Sequence, residues 1–313
     1  MSGLSALLLL AGLLTGARTT RWLEDALYQD EIVYAATTPY QRIVITRWRN
    51  DIRLFIDGNI QFSSADEFRY HEALVHPAMS LVPGARRILL LGGGDGLAAR
   101  EVLKYGTVRR IDLVDLDPVM TGLFSKQPEL VALNEGSLLD ERLAVHNEDA
   151  WKFLERANGA WDVVLIDLPD PNNESLARLY TRSFYRLVFK HLSQRGLMVT
   201  QATSPFYATD AFWCIYNTVA ATRYGPDGAR PHVAAYHVDV PSFGDWGFVM
   251  AAKFPIGPER ISVKVPTRFL TDEVAKALFV FSPDIAHRPT AVNRLDEPVL
   301  LRLYESGFRR YND

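Results

Sequence analysis

Residues 87–100 read RILLLGGGDGLAAR. Four apolar residues, Ile88 to Leu91, run straight into Gly92-Gly93-Gly94-Asp95-Gly96, and a helix is expected just after. A buried strand, a glycine turn and a helix start form the junction at which a doubly wound sheet receives a nucleotide-like ligand. Gly92 and Gly94 let the chain reverse sharply and bring its backbone close to that ligand. Moving outward, IDLVDLD, LAVHNED, WDVVLIDLP and GLMVTQAT are further short apolar runs, separated by the helix-like segments LAAREVLKYG, VMTGLFSKQP, AWKFLERA and YTRSFYRLVFKHL. Such alternation predicts an α/β fold, a parallel sheet with helices on both faces. VAAYHVDVP and WGFVMAAK follow with only a loop between them and are expected to pair antiparallel at the sheet edge.

Before this region the texture differs. From Ile32 to about Ser63 the chain is rich in β-branched and aromatic residues, with turn signals at Asn50-Asp51 and Asp57-Gly58-Asn59. A small antiparallel β-domain is expected. A helix over Asp66 to Val82 follows, capped by Ser64 or Asp66, with Phe68, His71, Leu74, Val75 and Ala78 near one face. The expected organisation is an apolar segment over 1–21, a β-domain with its linking helix over 22–82, a catalytic region over 83–253 and an extension over 254–313. The extension carries helical pieces near Asp272–Phe281 and Pro298–Ser306.

The 313 residues carry 34 Lys+Arg against 37 Asp+Glu, a net charge of −3, and 48% are hydrophobic. That is a folded globular balance, without the basic footprint of a nucleic-acid partner. One cysteine, Cys214, excludes a disulfide framework and a Cys-based zinc site; beside Phe212, Trp213 and Ile215 it reads as core. Leu4 to Ala17 is apolar but shorter than the roughly 20 residues of a membrane span. No Lys or Arg precedes it, and Arg18 and Arg21 follow. Three readings stay open: half of a transmembrane helix in a shortened chain, a short helix buried in an oligomer contact, or a weak leader. On the first, the rest is a cytoplasmic catalytic domain attached to the inner membrane.

Five carboxylates carry the chemistry. Asp115 ends LVDLD about twenty residues past the glycine turn, where a carboxylate can accept both ribose hydroxyls; a helix cap is the alternative. Asp149 ends HNED, before Ala150 and Trp151, and can accept from an adenine amino group or cap the helix AWKFLERA. The dinucleotide fingerprint asks for a third glycine at position 97, which is Leu97. Asp95 places an anion where a pyrophosphate would sit, which suits a sulfonium nucleoside better than a dinucleotide. Asp167-Leu168-Pro169-Asp170-Pro171 follows the fourth strand, and the first and fourth strands are neighbours at the switch point. Asp95, Asp167 and Asp170 should therefore gather, an arrangement unfavourable unless a cation joins them. No His or Cys cluster accompanies them, so the expected cation is an organic di- or polyamine and no metal site is assigned. Mg²⁺ is the rival, and an ordinary Asp-Pro turn the plain alternative.

Other features carry less. His71 and His76 are five residues apart, not the four of an HExxH zinc helix. His146, His191, His232, His237 and His287 are scattered. Ser204-Pro205 lacks the glycines of a nucleophile elbow. Tyr180, Phe184, Tyr185 and Phe189 have helical core spacing, and Arg309-Arg310 reads as a solvated tail.

Together the segments TPYQRIVIT, LFIDGNIQFSSADEFRYHEALVHP, LLLGGGDGLAAREVLKYG, LVDLDP, HNEDAW and VLIDLPDP resemble the spermidine synthase family, the polyamine aminopropyltransferases, from about Trp22 to Lys253. LPDP and the apolar N-terminus are most similar to the bacterial branch with extra transmembrane helices. The resemblance implies a Rossmann-like, methyltransferase-type sheet with a small N-terminal antiparallel β-domain. It implies that decarboxylated S-adenosylmethionine, as co-substrate and with no tightly bound cofactor, gives its aminopropyl group to an amine such as putrescine. By the same resemblance Gln41, Asp115, Asp149 and Ala150 hold the thioadenosine beside Gly92 and Gly94. Asp95 meets the aminopropyl ammonium. Gln61, Tyr70, His71 and Asp170 line the amine channel, and Asp167 orients the amine and takes its proton. A homo-oligomer, dimer or tetramer, is expected through the β-domain or first helix. The chain departs from the family pattern at Asn172-Asn173-Glu174, where Gly-Pro is common, at Phe243, where a Tyr is common, and at Asp115, often Glu. The competing functions are an S-adenosylmethionine-dependent amine methyltransferase and a non-catalytic polyamine-binding protein.

Overall fold

The computed structural model of the chain describes residue 28 and residues 30–312. The apolar segment 1–21 lies outside the described residues. Two compact units are formed, one ending at Ala65 and the other beginning at Asp66.

The first unit is an antiparallel meander of β1 (Glu31–Thr37), β2 (Arg42–Trp48), β3 (Asp51–Ile56) and β4 (Asn59–Ser63), in that spatial order. The β3–β4 turn places Asp57 at φ 49° and Gly58 at φ 81°. Two consecutive left-handed residues match the right-handed twist of the flanking strands, which is why Asp-Gly occurs here. Ile43, Val44, Ile45, Ile52, Leu54 and Phe62 are buried apolar residues of this unit. Asp51 accepts from the hydroxyls of Ser63 and Ser64 at 2.8 and 2.9 Å, so Ser64 serves this unit and not the next helix.

The second unit opens with α1 (Glu67–Leu81). Asp66 precedes it, but makes no side-chain cap; its carboxylate accepts from the backbone N–H and hydroxyl of Ser242 at 2.7 and 2.8 Å. The expected apolar face is present. The polar residues Glu67, His71, Glu72 and His76 are buried as well. Buried polar groups need partners, and each has them. Glu72 accepts three backbone N–H groups, from Arg268, Phe269 and Leu270, at 2.6 to 2.9 Å. His76 contacts Glu101 and the Tyr105 hydroxyl at 2.9 and 3.0 Å.

Seven strands form the main sheet: β5 (Arg87–Gly92), β6 (Arg110–Asp115), β7 (Leu143–Asn147), β8 (Trp161–Asp167), β9 (Leu192–Gln201), β10 (His232–Val240) and β11 (Gly244–Ala252). Their order is β10-β11-β9-β8-β5-β6-β7. The first five are mutually parallel, and β11 pairs antiparallel with both β9 and β10. Ile88 to Leu91 and Val163 to Ile166 are fully buried, as strands covered on both faces must be. Strand order reverses between β5 and β8, so their C-terminal ends open the crevice in which such sheets bind ligands. The expected helices appear as α2 (Leu97–Leu103), α3 (Pro118–Phe124), α5 (Ala150–Arg156) and α7 (Arg182–Lys190). Short helices α4 (Pro128–Leu133) and α6 (Glu174–Ala177) are additions that the sequence pattern did not predict. Helix α8 (Thr209–Ala220) went unread because TDAFWCIYNTVA is rich in aromatic and β-branched residues; its Cys214 is buried core, as expected. The extension adds α9 (Asp272–Ala277) and α10 (Leu300–Asn312). Among the described residues no helix is long and apolar enough to cross a membrane.

Candidate active site

The glycine turn after β5 is shaped by what presses on it. Gly92, at φ 86°, would place a Cβ 2.0 Å from the backbone oxygen of Asp167, the last residue of neighbouring β8. A Cβ on Gly94 would lie 2.5 Å from Asp115 Oδ2. Asp115, at the end of β6, accepts from the backbone N–H of Gly94 at 3.0 Å and of Asp117 at 2.9 Å. Asp95 Oδ1 accepts from Leu97 N–H at 2.8 Å, at the start of α2, and its carbonyl accepts from Asn134 at 2.8 Å. The turn thus presents two carboxylates from two strand ends side by side.

Asp167 comes from β8 and Tyr70 and His71 from α1. The Tyr70 hydroxyl donates to Asp167 Oδ1 at 2.5 Å. Burial, with Asp167 nearby, lifts the Tyr70 pKa far above its usual value, so this phenol stays a donor. His71 Nδ1 lies 2.8 Å from both the carboxylate and the carbonyl of Glu67, and Glu67 is also held by Arg100 at 2.9 and 3.0 Å. Burial opposes the imidazolium. The hydrogen bond and charge of Glu67, with Asp95 and Asp167 in range, prevail and raise His71 to about 9. A protonated histidine therefore stands among the acids as an internal cation.

Asp170 lies three residues beyond Asp167. It accepts from Thr203 Oγ1 at 3.0 Å and Gln201 Nε2 at 3.3 Å. Gln201 also donates to Leu168 O at 2.7 Å and to the Tyr180 hydroxyl, which in turn donates to Pro169 O at 2.9 Å. The loop after β8 is therefore held in shape from inside. Asp95, Asp115, Asp167 and Asp170 keep part of their surface open, yet desolvation dominates their ionisation. It lifts Asp95, Asp115 and Asp170 to about 6 each and raises Asp167 as well. His71 opposes this rise at Asp95 and Asp167, and Tyr70 at Asp167. Carboxylates held back from ionising by desolvation gain from a cation brought to them.

Of the residues expected to matter, Tyr70, His71, Asp95 and Asp167 meet at the ends of β5 and β8. Asp115 adjoins Asp95, and Asp170 faces Tyr70 and Tyr180 electrostatically. Asp149 caps α5 through Lys152 N–H at 3.0 Å, and its other oxygen pairs with Arg178; Ala150, next to it, is buried. Gln41 and Gln61 lie in the first unit. Gln41 N–H donates to Thr38 Oγ1 at 3.1 Å, and Gln61 Nε2 to Asn59 O at 3.1 Å. Sequence reading missed Glu67, Arg178, Gln201 and Thr203. Glu67 could have been found from its i,i+4 spacing to His71, and Gln201 and Thr203 from their place at the end of a parallel strand. Arg178 offers no such signal.

The spermine/spermidine synthase domain profile matches residues 67–253. Polyamine aminopropyltransferase 2 of Ralstonia nicotianae is 47% identical over 309 residues, 98% of this chain and 59% of that protein. The polyamine aminopropyltransferase of Oceanobacillus iheyensis is 45% identical over 315 residues, 99% of this chain and 60% of that protein. The chain thus spans about three fifths of the length of these curated relatives. A spermidine synthase crystallised with the transition state analogue AdoDATO superposes with a TM-score of 0.72 at 25% identity, covering 80% of this chain and 86% of that one. The Thermotoga maritima spermidine synthase gives 0.71 at 26%, covering 80% and 85%. With an acid-lined switch point on a sheet of this order and a profile that covers more than half its residues, the chain belongs to the spermine/spermidine synthase domain family.

Proposed function

We propose that this chain performs aminopropyl transfer from decarboxylated S-adenosylmethionine to a di- or polyamine, putrescine being the first candidate acceptor. The observation that carries the reading is the placement of Asp95 and Asp167 at neighbouring strand ends, part of their surface open, with the internal cation His71 within electrostatic range of both. Such a site gains most from ligands that bring positive charge, here a sulfonium and aliphatic ammonium groups. In this reading Asp115 takes the ribose hydroxyls and Asp149, with Ala150, the adenine. The assignments of Gln41 to the thioadenosine and Gln61 to the amine rest on the resemblance alone. Asp95 attracts the bare aminopropyl ammonium and repels the carboxylate of intact S-adenosylmethionine.

The step is an in-line displacement. The amine lone pair forms a C–N bond to the carbon beside S⁺, and the C–S bond breaks. Its electrons neutralise the sulfur and methylthioadenosine leaves. The surplus proton on nitrogen passes to Asp167. A sulfonium is already a good leaving group, so positioning supplies much of the acceleration. Tyr70 keeps one Asp167 oxygen occupied as an acceptor and directs the other toward the amine. Asp170 anchors the distant ammonium. A cytoplasmic setting, a like subunit as partner and the division of the chain at residues 21, 82 and 253 belong to the same proposal.

Mass spectrometry of products from each donor with a panel of amines tests it. Methylthioadenosine and an aminopropylated amine are expected from the decarboxylated donor. Methyl transfer from S-adenosylmethionine without aminopropyl transfer would identify a methyltransferase instead. Amine binding without either product would leave a binding protein.

A further inference from the structure

Helix α1 carries Tyr70, whose hydroxyl donates to Asp167 Oδ1 at 2.5 Å. A phenol at the tip of its side chain stands well off the helix axis, so a small roll of α1 is enough to part that bond. What fixes the roll comes in part from outside the family-matched residues 67–253. Glu72 lies two residues beyond Tyr70, about 200° further round the helix, and leaves α1 on nearly the opposite side. Glu72 is fully buried. The extension wraps its carboxylate with three successive backbone N–H groups: Arg268 donates to Oε1 at 2.6 Å, and Phe269 and Leu270 to Oε2 at 2.9 and 2.8 Å. Two reciprocal cation–π contacts flank this cradle, Arg268 over Phe68 at 3.8 Å and Arg69 over Phe269 at 4.5 Å.

A carboxylate is costly to bury unless its oxygens are satisfied. An apolar residue would pack α1 on the extension without that cost. What the carboxylate adds is direction, since three N–H groups fixed in one short segment hold both of its oxygens. A second hold lies one residue on. Pro77 has no N–H, so the carbonyl of Ala73, four residues back, lacks its helical partner. The Tyr236 hydroxyl of β10 supplies the missing hydrogen bond at 3.0 Å. Tyr236 is fully buried and packed between rings: it stacks on Phe248 at 5.1 Å, and Phe279, just after α9, packs on it at 5.0 Å. Phe248 in turn lies 5.2 Å from the ring of Tyr70. The extension thus reaches Tyr70 by two routes, through Glu72 along the helix and through Tyr236 and Phe248 across the sheet.

We propose that Glu72 and Tyr236 are positioning residues for Tyr70: together they fix the roll of α1 so that the phenol stays on Asp167, which makes the extension a working part of the site. The inference rests on the aminopropyl-transfer reading above, in which Tyr70 keeps one Asp167 oxygen occupied and turns the other toward the amine. Both residues are fully buried and meet no substrate, so loss of either hold should slow the step without weakening binding.

Glu72→Gln keeps the size of the side chain but sets an amide against the three N–H donors, and Tyr236→Phe removes only a hydroxyl. In each variant kcat, read as methylthioadenosine release, should fall about tenfold, with donor and acceptor KM within about twofold of the wild type. Tyr70→Phe should lower kcat by at least as much. Adding Glu72→Gln or Tyr236→Phe to it should then change kcat by less than about twofold, because the bond they protect is already gone. Where Glu72→Gln yields no folded protein, Tyr236→Phe carries the same test. Unchanged kcat in either folded variant overturns the proposal. So do losses that multiply in the Tyr70→Phe background, the mark of a merely structural role. Wild-type protein that releases no methylthioadenosine with any amine overturns the parent reading instead. Crystal structures of the variants then decide for Glu72 and Tyr236: a Tyr70–Asp167 separation beyond hydrogen-bonding distance supports the proposal, and an unmoved bond of 2.5 Å overturns it.

Discussion

Asp167 takes a proton in the proposed step, and its hydrogen bond from Tyr70 at 2.5 Å favours its charged form. Asp167→Asn should lower kcat by about 10²–10⁴, measured as methylthioadenosine release, with a smaller change in donor KM. Tyr70→Phe removes a donor that holds the Asp167 pKa down, so the acidic limb of the kcat profile should move to higher pH; an unmoved limb would dismiss Asp167 as the titrating group. Asp95 makes a different contribution. Asp95→Asn should reduce the preference for the decarboxylated donor over S-adenosylmethionine, compared as kcat/KM, because the substrate carboxylate no longer meets a like charge. At this scale the acids were legible in the sequence, since each stands at the end of an apolar run where a parallel sheet exposes side chains. The partners that set their ionisation were not. Glu67 stands four residues before His71, and Gln201 and Thr203 stand at or just past the end of a parallel strand, but such signals are shared by many residues with no part in a site; Asp149 caps α5 and pairs with Arg178.

Two glycines of one turn should behave differently because different elements press on them. A Cβ at Gly92 meets backbone of β8, which cannot yield without parting the two strands, and its φ of 86° disfavours any side chain. Gly92→Ala should cost about 3 kcal/mol or more of stability, read from urea unfolding. At Gly94 the obstructing atom is the Asp115 carboxylate, which can swing away. Gly94→Ala should leave the fold largely intact and raise donor KM severalfold, so equal losses of stability in the two variants would count against this account. The βαβ elements were readable because their apolar runs are short, continuous and bounded by turn residues. Helix α8 was not, because burial on most sides erases periodicity and aromatic residues suit either state. Capping at Asp66 failed as an expectation for a similar reason. The residue has the right chemistry for a cap, but Ser242, distant in sequence, takes both carboxylate oxygens.

For the whole protein the acidic site carries a pH signature. Asp95, Asp115 and Asp170 have folded pKa values of about 6, above the ordinary 3.8, so the folded state binds more protons between these limits and stability falls as pH rises through that window. His71, raised from 6.5 to about 9, adds stability that is complete below 6.5 and lost as pH rises through 9. Glu101, held down to about 2 with burial outweighed by His76, Lys104 and Arg100, stabilises above 4.5 and resists acid. The melting temperature should therefore be lower at pH 8 than at pH 5, and saturating diamine should raise it more at pH 8, where the acids are ionised. A diamine effect independent of pH would contradict a charge-starved site. Sequence alone determined the layered α/β architecture, the position of the strand-order switch point and the acids that stand around it, because hydrophobic period, glycine turns and carboxylates at strand ends are local properties of the chain. Only the tertiary structure decided which acids share a proton-rich environment, which histidine stays charged among them, and that the hydroxyl of Tyr70, 97 residues away along the chain, donates to Asp167, since those outcomes depend on burial and on partners that meet through folding.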